Sequence, residues 1–600
     1  MTNQNETTGG AEESLAKANE FARMAAQSQG IVSDFIARQQ SEGVLKSQGP
    51  FDVGQAFMEM TQQMLSDPAR LVQAQLGLFE GYMKLWQHTA SRMMGGEVGE
   101  PIVVPAPDDR RFRAADWSEN HFCDFIKQSY LLTSNWFLST VQKNSGELDE
   151  KSAQKLAFYT RQFVDAVSPT NFVMTNPTVL RETLDSGGEN LVRGLANMLD
   201  DLERGGGNLD IRMTDQDAFE AGENLALTPG KVVFQNDLMQ LIQYAPAGES
   251  VYTRPLLVIA PWINKYYVLD LKPENSFIGW AVAQGYTVFV ISWVNPDERL
   301  SHKGFEDYMR EGPLAALDAI EQACGEQQVV AVGYCLGGTL LSATLAYMAA
   351  QDDKRITSAT FFATLVDFEE PGELGVFIDE EQLAGLEKMM NEKGYLDGRE
   401  MATTFNLLRA NDLIWSFVIN NYLMGKDPFP FDLLYWNSDS TRMPAEMHSF
   451  YLRKMYQENA LARPGAIELG GVPIDLGKID LPTYVLAAHE DHIAPWQSCF
   501  KATGLYSGKT RFVLGQSGHI AGVVNPPDAK KYGFWTGELK ADESAEDWLS
   551  GAARQEGSWW RDWHAWQSRR AGKKVAAREP GAGKLEVIED APGSYVKVKT

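Results

Sequence analysis

The chain has 600 residues, of which 44% are hydrophobic and 22% are charged, a composition typical of a globular protein rather than a fibrous or disordered one. It contains 54 Lys and Arg against 80 Asp and Glu, which gives a formal charge of −26. Because a negative surface repels phosphate backbones and anionic lipids, nucleic acid is excluded as an expected partner.

The first residues and the cysteines predict a cytoplasmic protein. The start MTNQNETTGG lacks the basic and apolar parts of a secretory signal, and no run reaches the roughly 18 apolar residues of a bilayer span. The cysteines show no zinc-ligand spacing and no disulfide framework is expected. We interpret Cys123, Cys324 and Cys499 as small buried residues.

The N-terminal part is predicted to be helical. Residues 1–50 are polar and are expected to form a mobile arm, and residues 51–207 are expected to form a helical domain. A helix begins at Asp67-Pro68 and has one apolar stripe. The stripe consists of Val72, Leu76, Phe79, Met83 and Trp86. It can pack in the core, against a second copy or on a hydrophobic surface, and core packing is the commoner outcome.

Residues 208–570 alternate β-rich and helical runs and are expected to form one α/β domain. The predicted strands are LIQYAP, PLLVIAPW, YTVFVISWV, QVVAVGY, ITSATFFATLVD, PTYVLAAHED and TRFVLGQSGH. Several are continuous apolar runs, which indicates a mostly parallel sheet covered by helices on both faces. The long helical and aromatic stretch at about 368–481 is expected to be an inserted cap.

The C-terminal sequence contains a cluster of tryptophans followed by a tail at 571–600. The cluster consists of Trp559, Trp560, Trp563 and Trp566. We expect a helix whose indoles pack onto the sheet, and an exposed polymer-binding surface is the alternative.

One motif predicts a nucleophile. In QVVAVGYCLGGTLLSATLAYMA, Cys335 lies in Gly-x-Cys-x-Gly between a β-run and an apolar helix. This is the nucleophile-elbow pattern of α/β-hydrolases, with cysteine in place of serine. The turn is strained, and side chains at Gly333 and Gly337 would collide with neighbouring backbone. The sequence therefore predicts an α/β-hydrolase fold with Cys335 as the nucleophile, against the alternative of a small buried residue in a tight turn.

Two backbone N–H groups are expected to form an oxyanion hole. The helix that begins at Leu336 directs its positive end at Cys335, and Leu336 is the first expected donor. The fold places the second donor in the loop after an earlier strand, which here is APWINKYY. Ile263 or Trp262 is the residue expected to donate.

A base and an acid are expected after the two last strands, because the chain order of this fold is nucleophile, acid, histidine. His519 follows TRFVLGQSG and is the predicted base. Asp491 ends PTYVLAAHED and is the predicted acid, with Glu490 as a lesser candidate. His489 and His492 flank Asp491 and are interpreted as loop histidines.

No glycine-rich nucleotide loop follows a strand, and no cluster of metal-ligating residues stands out. We therefore expect neither a bound cofactor nor a metal. The remaining chemistry is acyl transfer through a cysteine thioester.

The motifs DRRF, PWINKYYVLDL, GYCLGGT, FDLLYWNSDSTRMP, AAHEDHIAPW, GQSGHIAGVVNPP and GSWWRDW occur in this order. Through them the chain resembles the class I polyhydroxyalkanoate synthase family, from about Arg110 to about Ser568. The family's catalytic residues correspond to Cys335, Asp491 and His519. The resemblance implies polymerisation of a short (R)-3-hydroxyacyl-CoA, such as 3-hydroxybutyryl-CoA, into an intracellular polyester with release of CoA.

The resemblance also implies partners and a location. These are the growing polyester chain, the surface of a polyester granule in the cytoplasm, and a second copy in a homodimer. The N-terminal region is implicated in granule attachment. In this family Asp491 either orients His519 or activates the 3-hydroxyl group.

The aromatic insertion is expected to shield the acyl-enzyme from water. Its members are Trp415, Tyr422, Phe429, Phe431, Tyr435 and Trp436. Two other functions remain open: a thioesterase or polyester depolymerase of the same fold, and a non-catalytic granule-coating protein.

Overall fold

A computed structural model describes residues 68–95, 99–145 and 148–599 of the chain. The expected mobile arm, the cap residue Asp67 and the side chain of Val72 lie outside the described residues. The chain divides into two compact units. The helical unit ends at Asp215 and also includes Arg409–Phe429, and the sheet unit contains Gln216–Leu408 and Pro430 onward.

The helical unit consists of helices joined by short turns, as its sequence predicts. Its helices are α1 (Pro68–Met93), α2 (Asp116–Glu119), α3 (His121–Asn144), α4 (Glu150–Ala166), α5 (Pro177–Asp185) and α6 (Glu189–Arg204). Asn120, Asp149 and Asn176 cap α3, α4 and α5 by accepting hydrogen bonds from backbone N–H groups of the first turn. Each cap satisfies donors that the helix itself leaves unpaired.

A buried charge cluster joins α1 to α3. Asp124 on α3 forms ion pairs of 2.6 Å with Arg92 and 2.9 Å with Lys127, and Gln128 donates to it at 2.8 Å. Because these charges are desolvated, removing one partner would leave another uncompensated. The cluster therefore determines which face of α1 packs against α3.

The opposite face of α1 is exposed, which differs from the core packing that we expected as the commoner outcome. Phe79 is 62% exposed and Trp86 is 65% exposed, and Leu76 and Met83 beside them are also exposed. Polar anchoring by Asp124 decides the packed face, although the spacing of the stripe predicted it to be inside. The apolar face of α1 is thus available to a partner.

The strands of the sheet unit are β1 (Gly230–Gln235), β2 (Met239–Tyr244), β3 (Ser250–Tyr252), β4 (Leu256–Ile259), β5 (Val288–Trp293), β6 (Val329–Tyr334), β7 (Ile356–Phe362), β8 (Tyr395–Leu396), β9 (Met443–Pro444), β10 (Glu468–Leu469), β11 (Val472–Pro473), β12 (Thr483–Ala488), β13 (Thr510–Gly515), β14 (Gly533–Thr536), β15 (Ala553–Glu556), β16 (Lys574–Ala576) and β17 (Glu589–Asp590). Eleven of them form one sheet in the order β15-β14-β13-β12-β7-β6-β4-β5-β2-β1-β17. Neighbours from β13 to β5 are parallel, and the outer pairs are antiparallel.

Helices cover both faces of this sheet, as the continuous apolar runs predict. The α-helices of the sheet unit are α7 (Phe277–Ala283), α8 (Phe305–Met309), α9 (Ala315–Cys324), α10 (Leu336–Ala350), α11 (Glu380–Lys393), α12 (Gly398–Leu408), α13 (Asp432–Ser438), α14 (Ala445–Phe450), α15 (Trp496–Phe500), α16 (Ala502–Leu505), α17 (Ala545–Gly551) and α18 (Trp560–Gln567). Leu257 and Ile259 of β4 belong to one buried apolar cluster, and Leu256 and Val258 belong to another. Since alternate residues face opposite sides, both faces are buried. The predicted α/β-hydrolase fold is confirmed.

The C-terminal helix α18 packs onto the sheet, as expected for the tryptophan cluster. Trp559, Trp560 and Trp563 are buried, and Nε1 of Trp563 donates to Oγ1 of Thr360 in β7 at 3.0 Å. The tail beyond α18 adds β16 beside β3 and β17 beside β1. Among the described residues, no helix has the length and apolar character needed to cross a bilayer.

Close backbone packing at the turn between β6 and α10 generates a stability prediction. A Cβ atom at Gly337 would lie 2.1 Å from the carbonyl oxygen of Ile259, which is backbone and cannot rotate away. We expect Gly337→Ala to destabilise the sheet unit by about 1–3 kcal/mol, as overpacked cores are. Thermal unfolding of the purified protein measures this.

Gly385 in α11 is the matched control, because a Cβ atom there meets nothing within 4 Å. Gly385→Ala is expected to be neutral or to stabilise the helix by up to about 1 kcal/mol. Equal melting temperatures for the two variants would contradict the steric argument.

Candidate active site

Cys335 occupies the turn that joins β6 to α10. Its φ of 51° and ψ of −121° are a strained conformation for a residue other than glycine. The flanking glycines permit the turn, because a Cβ atom at Gly333 would lie 2.5 Å from the Cα of Gly338. The side chain is partly exposed, whereas Cys123 and Cys499 are buried. The structure thus presents the Cys335 sulfur at the carboxyl end of the central strands.

Asp491 and His519 follow β12 and β13, which are neighbours in the sheet. Nδ1 of His519 lies 2.7 Å from Oδ2 of Asp491. The other carboxylate oxygen, Oδ1, accepts hydrogen bonds from the backbone N–H groups of Ile493 at 2.8 Å and Ala494 at 2.9 Å. The Asp491 side chain is fully buried, and its position is determined by these three contacts.

The Cys335 side chain lies close enough to the imidazole of His519 to raise its pKa. Since Nδ1 faces Asp491, Nε2 is the ring nitrogen available to the sulfur. Burial lowers the pKa of His519, but the charges of Asp491 and Cys335 and their hydrogen bonds outweigh burial and hold this pKa well above its usual value. The structure therefore brings the three predicted side chains together.

Tyr334, the residue before Cys335, contacts both the backbone and the ring of His519. Its hydroxyl donates to the carbonyl oxygen of His519 at 3.1 Å, and its ring stacks on the imidazole with centroids 5.5 Å apart. Burial, together with the nearby charges of Cys335 and Asp491, raises the pKa of Tyr334 well above its usual value, so the hydroxyl stays a donor. Sequence reasoning missed this residue, although its position beside the nucleophile is a usable signal.

Two tryptophans of the C-terminal cluster hold the loop that follows His519. Nε1 of Trp559 donates to the carbonyl oxygen of Gly522 at 2.8 Å, and Nε1 of Trp560 donates to that of Val523 at 2.9 Å. The cluster thus supports the base as well as the core.

The expected oxyanion donors lie on the two segments that meet at Cys335. Leu336 is the first residue of α10, and no described residue accepts a hydrogen bond from its N–H group. The N–H groups of Trp262 and Ile263 likewise have no acceptor among the described residues. Both N–H groups belong to the loop after β4. The end of β4, at Ile259, contacts the turn at Gly337. The choice between Trp262 and Ile263 stays a prediction.

Aromatic side chains that sequence reasoning did not select lie near Cys335. Tyr451 and Tyr456 are close enough to the sulfur for its charge to raise their pKa values further, after burial as the main cause. Phe368 contacts both tyrosine rings, with centroids 6.0 and 4.9 Å apart. The paired tyrosines in FYLRKMY were the signal in the sequence.

The aromatic residues expected to shield the site are distributed differently. Trp415, Tyr422 and Phe429 belong to the helical unit, and Phe431 is exposed. Tyr435 and Trp436 are buried in the sheet unit.

The three flanking residues weighed in the sequence, Glu490, His489 and His492, are more exposed than Asp491. Glu490 and His489 are exposed, and the His489 ring lies beside Trp496 and Trp535. His492 is half-buried in the following turn.

Within the described ranges, no three His, Cys, Asp or Glu side chains form a group suited to a metal ion. The arrangement instead suits nucleophilic attack by sulfur with a buried acid–base pair.

Comparisons with known proteins agree with this fold. Residues 108–281 match the family model described as the N-terminus of poly-beta-hydroxybutyrate polymerase, and residues 267–526 match the α/β hydrolase fold. The chain is 53% identical to the poly(3-hydroxyalkanoate) polymerase of Methylorubrum extorquens, over 91% of this chain and 90% of that protein.

Two further relatives are named poly(3-hydroxyalkanoate) polymerase subunit PhaC. The protein from Rhizobium meliloti is 51% identical, over 91% of this chain and 89% of its own length. The protein from Cupriavidus necator is 42% identical, over 89% of both chains.

The raised pKa of His519 predicts how stability depends on pH. A histidine whose folded pKa exceeds its unfolded value of 6.5 stabilises the folded state while it is protonated. This contribution is complete below pH 6.5 and is lost as the pH rises through the folded pKa. We therefore expect the stability advantage of the unsubstituted protein over His519→Gln to shrink as the pH rises above 6.5, measured by urea unfolding.

The exposed His489, replaced by Gln in the same way, is the control. Its difference from the unsubstituted protein is expected to stay small throughout this pH range. Parallel stability curves for the unsubstituted protein and His519→Gln would refute a raised folded pKa.

Proposed function

The chain belongs to the poly(3-hydroxyalkanoate) polymerase family, and from this premise we propose that it polymerises (R)-3-hydroxyacyl-CoA into a polyester and releases CoA. The observation that supports this most is 53% identity to a named polymerase over 91% of the chain. The hydrogen-bonded pair Asp491 and His519 beside Cys335 supplies the chemistry. The preferred monomer is proposed to be short, such as 3-hydroxybutyryl-CoA.

The first step is transfer of the acyl group from CoA to Cys335. His519 takes the Sγ proton, the sulfur attacks the thioester carbonyl, and the C–S bond to CoA breaks. The proton then passes from His519 to the CoA sulfur. One thioester replaces another, so the acyl group retains its activation. A positioned base of this kind typically contributes about 10² to 10⁴ to the rate.

The second step passes the acyl group to a 3-hydroxyl group. His519 takes the hydroxyl proton, the oxygen attacks the thioester carbonyl, and the bond to Cys335 breaks as an oxygen ester forms. The proton returns to the sulfur. Because an oxygen ester is more stable than a thioester, each cycle favours elongation.

Asp491 is proposed to orient His519 rather than to activate the hydroxyl group. Its Oδ2 faces Nδ1 of His519, and its Oδ1 already accepts two backbone hydrogen bonds. A carboxylate held in this way has no oxygen directed at substrate. It determines the tautomer of the imidazole and stabilises the imidazolium.

The oxyanion of each tetrahedral intermediate is proposed to accept from Leu336 N–H and from Ile263 or Trp262 N–H. These donors have no other acceptor among the described residues. The positive end of α10 adds to the stabilisation. Removal of one such donor typically costs about 10² to 10³ in rate.

Exclusion of water distinguishes polymerisation from hydrolysis by a thioesterase or depolymerase. The rings of Phe368 and Tyr451 are buried and that of Tyr456 is half-buried. The Cys335 charge acts on both tyrosines, and the three rings are proposed to shield its thioester. The aromatic set expected from the sequence stays a separate prediction. A granule-coating role without catalysis is disfavoured by the intact hydrogen-bonded group.

We further propose that the exposed apolar face of α1 attaches the enzyme to its polyester granule in the cytoplasm. A monomer rarely exposes a contiguous apolar stripe without a partner. Leu76, Phe79, Met83 and Trp86 form such a stripe in the helical unit. Homodimerisation remains a separate proposal that rests on resemblance.

The function is tested by CoA release from 3-hydroxybutyryl-CoA with identification of the product. The unsubstituted protein is expected to release CoA and form insoluble polyester, whereas Cys335→Ala falls to background in both because the nucleophile is absent. Retained folding of Cys335→Ala is checked by its melting temperature. Soluble hydroxy acids as the sole product would instead identify a hydrolase, and polymer from Cys335→Ala would reject the nucleophile.

The attachment surface is tested by co-sedimentation with isolated polyester granules. The double variant Phe79→Ser with Trp86→Ser loses two side chains worth about 2 kcal/mol each when buried, so bound protein is expected to fall more than tenfold. Leu184→Ser is the control, because Leu184 is 73% exposed on α5, outside the stripe. Equal loss in both variants would argue against a specific surface on α1.

A further inference from the structure

The loop after β4 is held by a segment far away in the sequence, residues 436–441. Both segments belong to the sheet unit. The hydroxyl of Thr441 donates to the carbonyl oxygen of Trp262, and the N–H of Thr441 donates to that of Ile263 at 3.2 Å. Asn264 and Ser440 form an antiparallel bridge. The carbonyl groups of residues 262 and 263 are therefore occupied, while their N–H groups donate to no acceptor in the part of the chain that the structure describes.

A buried ion pair completes this contact. Nζ of Lys265 lies 2.6 Å from Oδ1 of Asp439, and the two side chains are only 3% and 9% exposed. The hydroxyl of Tyr267 donates to Oδ2 of Asp439 at 2.7 Å, and Nε1 of Trp436 donates to the carbonyl oxygen of Lys265 at 2.6 Å. Because the charges are desolvated, removing one leaves the other unpaired at considerable cost.

The same loop adjoins the nucleophile. At its start, the carbonyl oxygens of Ile259 and Ala260 would lie 2.1 and 2.8 Å from a Cβ atom at Gly337, two residues after Cys335. A shift of the loop would consequently change the distance between its N–H groups and an acyl group on the sulfur. A displacement of these N–H groups by about 1 Å is enough to slow such a reaction considerably.

We propose that Asp439 and Lys265 are positioning residues that hold the oxyanion loop in its productive place. This inference rests on the proposed acyl transfer at Cys335. Asp439 does not touch substrate; it acts through Lys265, Tyr267 and the peptide groups between Trp262 and Lys265. Residues 436–441 are thus a support of the active site rather than part of a lid.

The test compares two reactions of Cys335 in Asp439→Asn. Release of CoA in a single turnover passes through an oxyanion, and it is expected to slow 10- to 100-fold, up to the cost of a lost donor. Alkylation by iodoacetamide forms a C–S bond and expels iodide without any oxyanion, and its rate is expected to stay within twofold. The KM for 3-hydroxybutyryl-CoA is also expected to change little.

Asp562→Asn is the matched control. Asp562 is likewise a carboxylate held by one tyrosine and one cation, since it accepts from Tyr484 at 3.0 Å and from Arg511 at 2.6 Å. Tyr484 and Arg511 lie near the starts of β12 and β13. Cys335 follows the end of β6, which runs in the same direction, so Asp562 lies at the opposite end of the strands. Asp562→Asn is expected to lower the melting temperature, while the rates of CoA release and of alkylation remain close to those of the unsubstituted protein.

Tyr267→Phe gives a second, milder variant in case Asp439→Asn fails to fold. It removes one hydrogen bond from Asp439 and keeps the ring, so the same selective loss of CoA release is expected at smaller size. Equal losses of CoA release and alkylation in these variants would overturn the proposal, and so would unchanged CoA release.

The two proposals fail in different ways. Because CoA release measures acylation whatever the final acceptor is, hydrolysis of the acyl group by the unsubstituted protein would reject the polymerase function and leave the positioning result valid. An unsubstituted protein that alkylates normally but releases no CoA would reject both.

Discussion

Backbone contact between the turn at Cys335 and the end of β4 is the constraint on which the site depends. Only glycine fits at Gly337, because a Cβ atom there would meet the carbonyl oxygen of Ile259. This contact brings Cys335 and the loop after β4 to one place. The strained φ of Cys335 is maintained by β6 before it and α10 after it. Backbone packing alone therefore positions the Cys335 sulfur and the N–H groups of the loop after β4.

Two buried carboxylates of the sheet unit have both of their oxygens in contact with a partner. Asp491 bonds two backbone N–H groups and His519, and Asp439 bonds Lys265 and Tyr267. Asp491 is proposed to orient His519, and Asp439 is proposed to hold the loop after β4. Such networks are stable only when fully satisfied, and they then hold side chains and backbone in one arrangement. Preorganisation of this kind is the main source of electrostatic catalysis.

Sequence reasoning succeeded where the pattern is local. The elbow motif, the seven strands and the packing of α18 follow from residues adjacent in the chain. It was wrong about the commoner outcome for the stripe of α1, because buried polar anchors at Asp124 decide which face packs. Its aromatic shield from 415 to 436 stays a prediction, and it did not select Tyr451 and Tyr456, whose pKa values the Cys335 charge helps to raise. Neither difference is visible without long-range contacts.

The sequence by itself determined the fold class and identified Cys335, Asp491 and His519 as candidates for nucleophile, acid and base, since strand-end motifs depend on local turn geometry. Only the tertiary structure decided that Asp439 contacts Lys265, that Tyr334 supports His519 and that the apolar face of α1 is exposed. These contacts join segments separated by many residues. Their formation depends on how strands align and helices pack, and no periodicity in the chain encodes it.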